Sequence, residues 1–261
     1  MSASRKIMAE FDVKLGLKLI KERFENACER RAEEYKYAKP TLVAVSKTKP
    51  IESVITAYEC GQRHFGENYV QELEEKGHNK DILEHCKEIK WHFIGHLQRN
   101  KINKVVNIPG IYMVETIHSF KLADSVQNAW SKLDSANKIH GDKLRVMIQI
   151  NTSGEIEKHG VHPNEATTLY KYVKENCPNL LVDGLMTIGK YGYDTSLGPN
   201  PDFLTLKQCR EQLCKELNLE PKEVNLSMGM SDDFEQAIEM GSNIVRVGTA
   251  IFGYRPKKNE S

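Results

Sequence analysis

The sequence predicts a single (β/α)8 TIM-type barrel, an α/β fold, with one extra helix at its amino end. Three observations carry this expectation. Eight short apolar, β-branched runs recur along the chain with helical patterns between them, the signature of repeated βα units around a parallel sheet. The length of 261 residues, 39% of them hydrophobic, suits the roughly 250 residues of such a barrel. An open doubly wound sheet would want a G-x-G-x-x-G turn after an early strand, and the chain has none.

The strand candidates in chain order are Leu42 to Ser46, Arg63 to Gly66, Trp91 to Ile94, Ile111 to Val114, Arg145 to Ile150, Val182 to Met186, Val224 to Ser227 and Ile244 to Val247. Before the first of them, Phe11 to Tyr35 reads as an amphipathic, charge-rich helix placed to close the bottom of the barrel. Helices follow at Ile51 to Cys60 and Asn68 to Lys76, with Gly61 and Gly77 at their C′ positions. Further helices are expected at Ser119 to Lys138, Pro163 to Asn176 and Phe203 to Leu217. Ser231 reads as the N-cap of one more, with Asp232 and Asp233 in its first turn and Gly241 at its end. The longest irregular stretch, Gly189 to Pro201, follows the sixth strand and is expected to lie over the barrel mouth as a mobile loop. The chain therefore divides into a helical segment over 1–40, the barrel over 41–253 and a tail over 254–261.

Composition narrows the function. Lys and Arg total 37 against 36 Asp and Glu, a net charge of +1, so there is no global field for nucleic acid or an anionic membrane. No run approaches transmembrane length, and Met1 to Leu15 lacks the apolar core of a secretory signal. Arg5 and Lys6 stand beside Glu10 and Asp12, against a mitochondrial transit peptide. Six scattered cysteines without a C-x-x-C pair suit a reducing cytoplasm. No heptad seam demands a second copy, so a monomer is expected.

The candidate chemistry sits where the strands end. Lys47 leaves the apolar run Val43-Ala44-Val45-Ser46, where desolvation disfavours an ammonium and favours a neutral, nucleophilic amine suited to an aldehyde. The alternative is a lysine that reaches from the sheet rim to solvent. In barrels, phosphate commonly binds the loops after strands seven and eight. Here those loops are Ser227-Met228-Gly229-Met230-Ser231 and Val247-Gly248-Thr249-Ala250, which offer hydroxyls and glycine amides; glycines that only shape tight turns are the competing reading. Arg246, inside Ile244-Val245-Arg246-Val247, needs a strong acceptor from an acid or a ligand. Asn68, after Phe65-Gly66-Glu67, serves as helix N-cap, ligand contact or both.

Other patterns exclude more than they add. His92 and His96 are four apart but on a strand and loop, not a helix, so they read as core or rim histidines and no metal site is expected. Arg99, Lys101 and Lys104 read as a solvated face. Gly184 to Tyr191 imitates a P-loop, yet Tyr191 stands in the place of the magnesium-binding hydroxyl, and no G-x-S-x-G elbow marks a hydrolase.

Taken together, V-S-K-T-K-P at 45–50, G-E-N-Y-V-Q-E at 66–72, H-F-I-G-H-L-Q at 92–98, S-M-G-M-S-D-D at 227–233 and R-V-G-T-A-I-F-G at 246–253 resemble the pyridoxal phosphate homeostasis protein family, the PLP-binding barrels, across Thr41 to Gly253. The resemblance implies a barrel similar to the amino-terminal domain of alanine racemase, with pyridoxal 5′-phosphate (PLP) held as a Schiff base on Lys47. It also implies cofactor contacts at Asn68, Ser227, Met228, Gly229, Arg246, Gly248 and Thr249. The family's role is vitamin B6 homeostasis: reversible PLP binding, and supply of the cofactor to PLP-dependent apoenzymes, with no established catalytic residue. The alternative expectation is an amino-acid racemase of low activity. Racemases of this fold carry a β domain after the barrel with a second acid/base residue, whereas this chain stops at Ser261.

Overall fold

In the computed structural model, which describes residues 11–254, eight parallel strands close into one barrel in sequence order. The strands are β1 (Thr41–Val45), β2 (His64–Glu67), β3 (Lys90–Phe93), β4 (Ile111–Ile117), β5 (Leu144–Gln149), β6 (Leu180–Met186), β7 (Asn225–Ser227) and β8 (Ile244–Val247). Closure comes from β1 against β8, in a register that pairs Leu42 with Val245, Val43 with Arg246 and Ala44 with Val247.

Strand alternation separates two apolar layers. Val43, Met113, Met147, Met186 and Ile244 meet inside the barrel. Leu42, Ala44, Phe65, Trp91, Phe93, Leu226, Met228, Val245 and Val247 face outward into a second core beneath the helices. Both faces of the sheet are thus covered, which explains why the strands read as continuous apolar runs.

The helices are α1 (Val13–Glu29), α2 (Ile51–Glu59), α3 (Val70–Gly77), α4 (Lys80–His85), α5 (Ile102–Val106), α6 (Phe120–Ser131), α7 (Ala166–Asn176), α8 (Pro201–Leu217), α9 (Phe234–Glu239) and α10 (Thr249–Phe252). Asp12 caps α1 by accepting from the Leu15 amide, and Leu17, Ile20, Phe24 and Ala27 form its buried stripe. This helix does not close the barrel bottom as expected. It packs along α2, α9 and α10 on the barrel flank, with ion pairs from Arg23 to Glu235 and Arg30 to Glu239. The reason is that α10 spans only four residues, too few to cover the seam between β8 and β1, and α1 takes that place.

Three other expectations change for local reasons. Helix α6 begins on its Ser119 cap but ends at Ser131, because Asp134, Ser135 and Asn137 favour their own turn over helix continuation. Gly77 is the last helical residue of α3 and not a left-handed C′; a Cβ there would lie 2.4 Å from Ile108 Cγ2, so glycine is required by packing. Ser231 does not cap α9, which starts at Phe234. The 189–201 loop is tied down near both ends: Asp202 accepts from the Lys190 amide (2.7 Å), the Lys158 ammonium reaches the Gly189 carbonyl (2.7 Å), and the Asn200 amide donates to Gln236 (2.9 Å).

Candidate functional site at the carboxyl mouth of the barrel

β1 delivers Val43 and Val45 to the barrel interior, and Lys47 follows two residues later, half-buried, in a turn at the carboxyl end of the strand. The loop after β8 arrives beside it. Gly248 is seated against Val45 so closely that a Cβ would lie 3.2 Å from the Val45 carbonyl oxygen and 3.3 Å from its Cβ. The amine-bearing turn and the glycine turn of the last strand therefore share one mouth. Thr249 opens α10, so its amide and that of Ala250 belong to a helix start with no preceding turn to accept them. The Gly248 amide donates to Ser231 Oγ (3.3 Å), which is the role Ser231 takes instead of helix capping. The turn ahead of α9 is shaped by Asp233, which accepts from the Met230 amide (2.7 Å).

Gly229 adopts φ +97°, and a Cβ there would lie 2.5 Å from Ala237 Cβ, so this turn admits no other residue without strain. Met228, next to it, is turned away from the mouth. Its side chain is fully buried in the outer core, its amide donates to the Ile244 carbonyl (3.1 Å), and its carbonyl accepts from Ser242 Oγ (2.9 Å). Its side chain and its amide are thus already engaged within the fold.

Asn68 follows β2 on the same rim. It does not cap α3, whose N-cap position is Tyr69 with no side-chain cap. Its Oδ1 is buried without a hydrogen-bond partner. Such an atom is costly unless something else satisfies it, and a bound polar ligand is one way to do so.

Arg246 meets the acceptors its position demands. The guanidinium is 4% exposed and donates to Ser227 Oγ and to the Thr187 carbonyl (2.7 Å), with Glu115 Oε2 at 3.9 Å. Burial pulls the guanidinium below its usual range, while Glu115 and Asp233 push it back up. Ser227 in turn donates to Glu115 Oε2 (2.6 Å), so its hydroxyl links Arg246 to the carboxylate and its one proton is used.

Glu115 lies on β4, one residue past the end expected from the sequence, and is the centre of a buried chain the sequence reading missed. His92 Nδ1 lies 2.7 Å from Glu115 Oε1, and His64 Nδ1 lies 2.8 Å from His92 Nε2. A carboxylate accepts only, so the His92 Nδ1–H donates to Glu115, and the other His92 nitrogen pairs with His64 Nδ1. Burial alone pushes the Glu115 carboxyl up, but the His92 bond, the Arg246 charge and the Ser227 bond outweigh it and hold the group below the usual carboxylate range. His64 is driven the other way: burial, then the neighbouring His92, Lys90, His140 and Arg145, bring it down to about 2. One visible signal pointed to this chain, since a glutamate inside Ile111-Tyr112-Met113-Val114-Glu115-Thr116-Ile117 is the acid that Arg246 requires.

His92 is thus a core histidine, whereas His96 is exposed on the rim and stacks on His159 with ring centroids 3.8 Å apart. Lys104 pairs with Glu74 (2.7 Å) on the surface. No helix among the described residues is long and apolar enough to cross a membrane.

Residues 22–256 match the family model of the alanine racemase amino-terminal domain. A human pyridoxal phosphate homeostasis protein is 52% identical over 95% of this chain and 88% of its own, and one from Caenorhabditis elegans is 47% identical over 84% and 87%. The chain belongs to the pyridoxal phosphate homeostasis protein family. Among solved structures, PipY of Synechococcus elongatus, a pyridoxal phosphate-bound structure, superposes with a TM-score of 0.72 at 26% identity, covering 90% of this chain and 100% of that one. The alanine racemase of Corynebacterium glutamicum superposes with a TM-score of 0.61 at 14% identity over 95% of this chain and 62% of the racemase, a likeness of fold alone. The family assignment agrees with the barrel and with the motif-bearing turns at its mouth.

Proposed function

We propose that this member of the pyridoxal phosphate homeostasis family holds pyridoxal 5′-phosphate reversibly in the barrel mouth as a Schiff base on Lys47. The phosphate would face the turns that carry Gly229, Ser231, Gly248 and Thr249, and the ring would lie between Asn68 and Arg246. The observation that carries this reading is the seating of Gly248 against Val45, which brings the turn of Lys47 and the β8 loop to one opening. The buried, unpartnered Asn68 Oδ1 on the same rim supports it as an acceptor awaiting a ligand donor. A PLP-bound relative of the same barrel fold adds further support.

The chemistry balances without a co-reactant. A neutral Lys47 amine adds to the aldehyde carbon, water leaves and a C=N bond forms; water or another amine reverses it. The surroundings suit storage better than turnover. An arginine facing the pyridine nitrogen would keep the ring from being protonated and weaken it as an electron sink. Arg246 is anchored for that task by Ser227, Thr187 and Glu115. A monomeric cytoplasmic carrier that hands the aldehyde to apoenzymes is the role that follows, and Ser227 serves it by holding Arg246, not by touching phosphate.

The test is an absorbance spectrum before and after borohydride, with intact mass measured afterwards. The expected result is a yellow protein whose band shifts on reduction and whose Lys47 gains one reduced cofactor. Colourless protein that takes up no pyridoxal phosphate would overturn the reading. Lys47-dependent exchange of amino-acid α-protons, above that of free cofactor, would favour the racemase instead.

A further inference from the structure

We propose that Lys76, with Glu67 and Glu72, is a positioning clamp that fixes both flanks of Lys47 and so sets the place of its amine; this rests on the Schiff-base reading above. Lys76 lies on α3 and Glu67 at the end of β2, outside the barrel mouth, and both side chains are almost wholly buried. The Lys76 ammonium is 2.8 Å from the Ser46 carbonyl and 2.7 Å from Glu67 Oε1. Ser46 Oγ donates to the same Glu67 oxygen at 2.6 Å. On the other flank the Thr48 amide donates to Glu72 Oε2 at 2.6 Å, and that oxygen lies 3.6 Å from the Lys76 ammonium. One cation thus stands between the residues that precede and follow Lys47.

Two further features indicate that this arrangement is directed at the turn. Thr48, a β-branched residue, holds φ +62°, a conformation such residues adopt only where neighbours enforce it. A buried ion pair contributes little net stability compared with well-packed apolar residues, so a purely structural task does not call for it. What the pair supplies and an apolar core does not is directional bonding, and these bonds end on residue 46. Fixing the backbone on both sides of residue 47 restricts where its amine can reach, and the rate of bond formation at a carbonyl depends steeply on such placement.

Lys76→Met removes the hub, Lys76→Arg restores a cation, and Glu72→Gln weakens only the outer flank, at a more accessible residue that leaves the buried pair intact. Each variant, as full chain, is mixed with pyridoxal 5′-phosphate, and covalent loading is followed by borohydride trapping and intact mass. Affinity for pyridoxine 5′-phosphate, which carries an alcohol in place of the aldehyde, reads the pocket without the amine reaction. For Lys76→Met the expected result is loading slowed about tenfold to a hundredfold, with affinity for pyridoxine 5′-phosphate within about twofold of the parent. Lys76→Arg recovers most of the rate, and Glu72→Gln shows a smaller slowing that stands even where Lys76→Met does not fold. Folded Lys76→Met or Glu72→Gln that loads at the parental rate overturns the clamp, as does a parallel loss of pyridoxine 5′-phosphate binding. A parent protein that forms no adduct on Lys47 at all overturns the underlying Schiff-base reading instead, and the parental arm distinguishes that case.

Discussion

His64 makes the stability of this barrel sensitive to mild acid. In the folded protein its imidazole is held down to about 2, chiefly by burial and then by the nearby His92 and Lys90, whereas in the unfolded chain it titrates at its ordinary value of 6.5. The folded-state value is depressed, so the neutral ring favours the fold above 6.5, and that contribution is lost as the pH falls and the unfolded state takes up a proton the folded state refuses. From pH 7 to pH 5 the loss for one such group is roughly 2 kcal/mol, a figure insensitive to the folded value so long as it stays well below 5. At a urea slope of about 3 kcal/mol per molar this is a midpoint shift of about 0.7 M. The perturbation is His64→Gln, which keeps a donor toward His92 Nε2 and removes the titration. Urea melts of both proteins at pH 7 and pH 5 give the assay. The expected outcome is that the variant loses about 2 kcal/mol less than the parent between the two conditions, other histidines cancelling in the comparison. If parent and variant weaken equally on acidification, His64 takes up its proton in the fold as readily as in the unfolded chain, and the reasoning from its burial is wrong.

The remaining predictions address the mouth and its support. Lys47→Ala should abolish the borohydride-fixed adduct while leaving the thermal midpoint of the free protein within a few degrees, checked by intact mass and calorimetry. Gly248→Val should weaken pyridoxal 5′-phosphate binding by tenfold or more, because branched carbons would enter the space beside the Val45 carbonyl, and a titration followed by absorbance reads the change. Glu115→Gln should cost about 3 kcal/mol in urea unfolding, since the buried Arg246 charge loses its ion-pair partner at 3.9 Å. Gly229→Ala should be destabilising by about 1–3 kcal/mol through its positive φ and the contact with Ala237.

The parts of this site that were legible in the sequence are those whose meaning is local. Lys47 stands out because it ends an apolar run, Gly248 and Gly229 because each interrupts one, and Arg246 because a guanidinium amid Ile244, Val245 and Val247 demands an acceptor. The eight strands could be counted because a sheet buried on both faces writes itself as continuous apolar segments. What escaped was everything set by pairing across the barrel. Ser227 and Glu115 lie 112 positions apart, and Lys76 reaches Ser46 across 30, so neither bond leaves a spacing to read. The helix-signal readings of Asn68, Ser231 and Gly77 fail for a related reason. Local rules allow each to act as a helix signal, while the fold uses them for an open rim position, an acceptor for Gly248 and a contact with Ile108.

Met228 and Ser227 show how far a motif can carry a residue role. Both stand in S-M-G-M-S-D-D just before the mouth-forming Gly229, and the family resemblance implies that each is a cofactor contact. Alternation along β7 decides between them. Ser227 faces inward and Met228 outward, so the methionine packs under the helices and its amide closes on Ile244. The serine does face the interior, and its hydroxyl is held between Arg246 and Glu115. Ser227→Ala would separate these roles. If the hydroxyl contacts phosphate, the loss falls on affinity for pyridoxal 5′-phosphate and inorganic phosphate alike. If it orients Arg246, phosphate affinity stays within about twofold while the absorbance band of the bound cofactor moves, because the guanidinium beside the ring is no longer fixed.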